Sequence, residues 1–228
     1  MSPRYGGIQS RSSEIALQQG RIETGGSAST TLDITIGGSN IATLPGWSQQ
    51  PVDLGRFTYE MEERTITYEG GGVFAGDEEG SISVRKPRVT CTVDTASPST
   101  ETKAVITLIR DDSGQDSFQS NDPVMVTMEE QSTWTHTLQA SGDVDITLGG
   151  DNSFHGGWAS ALEDAGFDEQ AGTTWRCDSP DTVIIRIVTV EISILAHQSP
   201  VNITRRPAWA ASVSRRSARS ATVPPASR

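Results

Sequence analysis

Between Thr30 and Leu195 apolar and polar side chains alternate again and again, the period of two that a strand with one face in a core requires. Leu32, Ile34 and Ile36 alternate with Thr31, Asp33 and Thr35 until Gly37-Gly38 stops the run. Phe57, Tyr59 and Met61 share a face, Glu62-Glu63 turns the chain, and Ile66 and Tyr68 return as a hairpin partner. Ile82 and Val84 open a short strand, and Val89, Cys91 and Val93 alternate with threonines. The pattern recurs at 124–128, 134–138 and 144–148. Segments 103–110 and 182–195 carry apolar groups on both faces, as strands covered on both sides do. Roughly eight to ten short strands, with turn signals every 8–15 residues and no βαβ rhythm, predict an all-β, antiparallel, jelly-roll-like sandwich.

Length and charge bound that domain. The chain has 228 residues, enough for one β domain with its own core. Residues 1–29 are rich in Ser, Gly and Gln and read as a flexible N-terminal arm with a weak helical patch at 14–19. The β domain takes 30–197, with a long insertion at 149–181 that carries a short helix near 158–165. Residues 198–228 are Pro, Ser, Ala and Arg without periodicity and read as a flexible basic C-terminal tail. The net charge is −11, but residues 201–228 hold six arginines and no acid, so residues 1–200 carry 12 basic against 29 acidic side chains, or −17. Such a body repels nucleic acid and most membrane surfaces, which leaves 201–228 as the one route to nucleic acid.

The longest apolar stretch, 183–195, is broken by Arg186 and Glu191 and cannot span a bilayer. Residues 1–7 lack the apolar core of a secretory leader. Two cysteines are too few to build a disulfide scaffold, so folding in a cytoplasm is expected. Cys91 reads as a small buried apolar residue, and its pairing with Cys177 stays open.

Four stretches form a recognisable order: the hairpin 57–68 followed by Gly72-Val73-Phe74; the pair 89–95 and 104–110; the unit 133–138 with Ser141-Gly142-Asp143-Val144-Asp145-Ile146-Thr147-Leu148; and the closing strand 182–195. This order resembles tumour-necrosis-factor-like jelly rolls, as in viral fibre heads, bead-like proteins and capsid decoration proteins. The likeness spans 55–195, and the insertion at 149–181 departs from the tight connection usual there. It implies a homotrimer with a structural or adhesive role and carries no catalytic residue across. The expectation is a virion structural protein of a bacterial or archaeal virus, assembled in the host cytoplasm. It would decorate and stabilise a capsid or form a short fibre or spike, with capsid or tail proteins as partners. The alternatives are a free carbohydrate- or receptor-binding module that takes a host-surface glycan, and a coat protein whose basic tail contacts the genome. No enzymatic activity, cofactor or metal is expected.

Candidate sites follow from the residues. On the two-faced strands one face fills the sandwich, and Val105, Ile109, Val183, Ile185 and Ile187 are left to meet a neighbouring subunit. Arg205, Arg206, Arg215, Arg216 and Arg219 are the candidates for anchoring the tail to an acidic surface. Trp47, Trp158 and Trp175 fall in loops, where an exposed ring contacts sugar or partner and a buried one plugs the core. The run Gly70-Gly71-Gly72 leads to Asp77-Glu78-Glu79, not to the Lys-Ser/Thr of a phosphate loop, and reads as a turn. The loop 151–155 lacks the ligand spacing of a calcium or zinc site. Asp143 and Asp145 share a strand face, as a glycosidase pair would, without an aromatic platform beside them. His136, beside Trp134 and Leu138, reads as a core histidine.

Overall fold

The alternating segments become strands in the computed structural model, which describes residues 10–25, 29–77, 80–94, 101–139 and 142–196. The chain divides into a body, Met1–His197, and a segment, Gln198–Arg228, that lies wholly outside the described residues together with its five candidate anchoring arginines. In the body, β1 (Ser10–Ile15) and β2 (Arg21–Thr24) precede β3 (Thr30–Ile36), β4 (Ser39–Asn40) and β5 (Val52–Asp53). Strands β6 (Phe57–Met61), β7 (Arg64–Glu69), β8 (Gly72–Asp77) and β9 (Gly80–Arg85) form a meander. Then come β10 (Arg88–Asp94), β11 (Glu101–Asp111), β12 (Asp116–Gln119), β13 (Val124–Gln139) and β14 (Val144–Gly150). A helix, α1 (His155–Asp164), the short β15 (Asp168–Glu169) and β16 (Thr174–Cys177), and the long β17 (Thr182–Ala196) complete it.

Three sheets result. Sheet I runs β1-β13-β17-β11-β10, sheet II runs β12-β2-β6-β7-β8-β9, and sheet III runs β15-β16-β14-β3-β4 with β5 also on β3. The fold is the expected all-β sandwich, antiparallel except where β11 meets β17. Between those two parallel strands the chain runs through β12, β13, β14, α1, β15 and β16, far longer than the dozen or so residues a parallel connection needs.

Sheet I is covered on both faces by the same domain. One face carries Ala104, Ile106, Leu108, Val183, Ile185 and Ile187 into the main core, where they join Leu32, Ile34 and Ile146 of sheet III, Phe74 of sheet II and Trp158 of α1. On the other face Val124 joins Leu17 and Ile22 in a smaller cluster flanked by Tyr59, Val126 and Ile194. The interface reading is therefore corrected for three residues. Val183, Ile185 and Ile187 are at most 1% exposed and fill the chain's own core, while Val190 and Ile192 are buried from the opposite side. A strand apolar on both faces is here a central strand with its own domain above and below it. Val105 and Ile109 do lie on the second face, half-buried.

Two further expectations change. Residues 10–24, read as part of an arm with a helical patch, form β1 and β2: β1 pairs along β13, and Leu17 and Ile22 are fully buried. Cys91 is bonded to Cys177 with Cα atoms 5.8 Å apart, which stitches β10 of sheet I to β16 of sheet III. The insertion holds its helix, with Trp158, Ala161 and Leu162 buried at helical spacing and Gly166 (φ +87°) just past its end. No helix among the described residues is long and apolar enough to cross a membrane.

Candidate functional site

The tryptophans singled out in the sequence sit inside or against the core. Trp158 is fully buried, its ring centroid 5.2 Å from that of Phe74 and its Nε1 donating to Glu69 Oε1 at 2.9 Å. Trp175 is buried on sheet III. Trp47 is half-buried against Trp134 at 5.5 Å; the two indole N–H groups donate to the carbonyls of Gln49 and Pro45. Ligand contact is therefore corrected to core plugging for Trp158 and Trp175. The carboxylates are similarly occupied. Arg176 grips Asp145 through Nε at 2.7 Å and through a second nitrogen at 3.1 Å, and reaches Asp143 at 3.2 Å. Hydrogen bonds from Ser179 hold the Asp143 carboxyl below the usual carboxylate range, the reverse of what a general acid needs. Asp151 pairs with Arg56 at 2.7 Å and accepts from Ser153.

A different site appears where the second face of sheet I meets sheet II. Strand register sets it row by row. Arg186 of β17 lies beside Thr107 of β11, and Thr107 lies beside Arg88 of β10. The next row pairs Val188 with Ile109, then Val190 with Glu130, and then Ile192 with Met128, which lies beside Arg11 of β1. On sheet II, Tyr68 lies beside Val73, and Val73 beside Arg85 of β9. The two walls enclose a trough of about 350 Å³ with Arg11, Arg85, Arg88 and Arg186 around it and Ile109, Val188 and Val190 along its floor. Gly71 supplies the positive φ (+90°) of the β7–β8 turn, and a Cβ there would make ordinary contact with Ile109 at 3.5 Å. Arg186 and the Arg11 row are six residues apart along β17, roughly 20 Å at about 3.3 Å per residue.

The charges decide what this trough can hold. Of the eleven basic side chains among the described residues, six make ion pairs: Arg21, Arg56, Lys86, Lys103, Arg110 and Arg176. The other five make none, and four of those five line the trough. Acids are abundant in the chain, so a shortage of carboxylates does not explain it. The fifth, Arg64, borders a groove of about 710 Å³ further along the same face of sheet II, where the row Tyr59–Ile66–Ala75–Ile82 crosses the strands. Ile66 and Ile82 there are 46% and 67% exposed. Burial pushes the Tyr68 phenol above its ordinary pKa, and the guanidiniums of Arg85 and Arg88 pull it back. Glu130 is the one carboxylate among the described residues that line the trough, and it accepts from Thr133 at 2.7 Å. Grouped guanidiniums without counter-charges over an aliphatic floor are suited to an anion that also carries apolar surface.

Fold and site together define an all-β sandwich domain with an arginine-lined trough between two of its sheets. The chain belongs to a family of unknown function, DUF7289, whose model matches residues 2–194. No curated protein and no solved structure matches it.

Proposed function

We propose that this domain is a non-catalytic binding module that works in an oxidising setting and holds an anionic partner in the trough between sheets I and II. The observation that carries this reading is the sorting of the arginines: those with carboxylate neighbours lie elsewhere, and four without them converge on one trough. The disulfide supports the setting, since such bonds persist in oxidising compartments and are rare in a reducing cytosol; it argues against a cytoplasmic site of folding. The clamped Asp143–Asp145–Arg176 group favours binding over hydrolysis. A narrower form, drawn from the jelly-roll resemblance, makes the partner a viral capsid or tail protein and this chain a decoration or fibre component.

Thermal unfolding with added polyanions tests the reading. Relief of repulsion among the trough arginines should raise Tm at low salt, with the gain shrinking as salt rises. Arg88→Gln and Arg186→Gln should abolish the gain, and at low salt they should leave the unliganded fold at least as stable as the wild type, since they relieve the same repulsion. No gain with any polyanion, or a gain unchanged in both variants, would overturn it.

A further inference from the structure

We infer that the anionic partner is an extended acidic peptide segment whose carboxylates meet the trough arginines while its aliphatic side chains enter the adjoining groove; this rests on the anion-binding reading above. Three observations point to a peptide. The strand rows that carry the arginines, Arg88 and Arg186 in one and Arg11 in the other, are roughly 20 Å apart along β17, the length of about six residues of extended chain. The floor between them is aliphatic, and Tyr68 is the one aromatic ring among the described residues that line the trough, so it offers sugar rings little stacking surface. The next row of the same face of sheet II carries Ile66, Ala75 and Ile82, which line the groove beside Arg64, the fifth described basic side chain without an ion pair.

An occupant with alternating carboxylates and aliphatic groups satisfies both halves of this surface at once. Exposed Ile66 and Ile82, flanking Ala75 in one row of a sheet face, mark a surface that gains from being covered. Nucleic acid fits poorly, because bases find only Tyr68 to stack on among the described lining residues, whereas the aliphatic floor suits aliphatic side chains. The chain's own residues 201–228 are basic and acid-free, so they cannot be the occupant.

The test uses the full chain and a labelled peptide of about ten residues alternating Glu and Val, followed by fluorescence anisotropy at low salt. Its Gln-for-Glu counterpart, polyglutamate, a uronate oligosaccharide and inorganic phosphate serve as comparisons. The Glu/Val peptide should bind best and lose ~10-fold or more when Glu becomes Gln. Arg88→Gln and Arg186→Gln should each weaken it ~10-fold, and Ile82→Ser should weaken it without changing polyglutamate binding. All three side chains are exposed, and melting curves verify that each variant folds. Equal or tighter binding of the uronate oligosaccharide or phosphate would overturn the peptide assignment and leave the anion reading standing. Peptide binding that survives Arg88→Gln and Arg186→Gln together would place it on other cations and overturn the assignment. Failure of every anion to bind would bring down both.

Discussion

Breaking the Cys91–Cys177 bond should cost this domain a large share of its stability. The bond closes a loop with a sequence separation of 86 residues. Loop-closure entropy for about 87 residues, 2.1 + 1.5R ln n, comes to about 15 cal/mol/K, or about 4.6 kcal/mol at 25 °C. Replacement by Cys91→Ala and Cys177→Ala together leaves small apolar groups at both positions, so the change acts mainly through the unfolded chain. For a domain of this size the cost converts to a Tm decrease of about 9–18 °C. Urea unfolding followed by tryptophan fluorescence reads it, because Trp158 and Trp175 are buried and report loss of the core. The double variant and the reduced wild type should share a midpoint well below that of the oxidised protein. Coinciding midpoints for oxidised and reduced protein, or two free thiols titrated in protein folded under oxidising conditions, would refute the reasoning.

Glu69 should leave a pH signature: burial raises its carboxyl above the usual range despite donations from Trp158 Nε1 and the Thr30 N–H. A raised folded-state pKa means that its contribution is fully present below the unfolded value and lost as pH rises through the folded value. The Tm of wild type minus that of Glu69→Gln should therefore rise as pH falls from 7 toward 5, and a flat difference would count against the assignment. Trp158→Phe should cost more than Trp175→Phe, by about 1–2 kcal/mol, because the first strips a hydrogen bond from buried Glu69 and the second removes an Nε1–H that is buried without a side-chain or backbone acceptor. Chemical denaturation of the two variants gives the order directly. Gly70→Ala should destabilise by about 2–4 kcal/mol, since φ is +62° and a Cβ would stand 2.6 Å from the Trp158 ring; an unchanged denaturation midpoint would contradict that.

Much of the fold was legible in the alternation, because a half-buried strand imprints its own period. The hairpin β6–β7, the pair β10–β11 and strands β3, β14 and β17 all fall where the pattern places them. Strand β1 was not legible: Ser10–Ile15 is a polar edge strand whose pairing is decided by β13, more than a hundred residues away. Nor was the face assignment of β17, since Val183–Ile187 and Val190–Ile192 are equally apolar and only the position of sheet III says which set fills the main core. The two runs at 124–128 and 134–138 belong to one strand, joined through an irregularity between Glu130 and Ser132. The trough left almost no trace. Its arginines come from four strands of two sheets and meet only through the order β1-β13-β17-β11-β10 and the facing β9. The one local signal was Arg186 in an apolar run, which reads from sequence merely as an interruption.

The most direct measurement of the trough's role is a titration of arginine Nε–Hε resonances with the acidic peptide. Resonances of Arg11, Arg85, Arg88 and Arg186 should move together and saturate with one Kd. Those of Arg56 and Arg176, already held by carboxylates, should stay in place. Movement confined to arginines of 205–228, or spread evenly over all arginines without saturation, would contradict a built site in the trough and return the anchoring role to the basic tail.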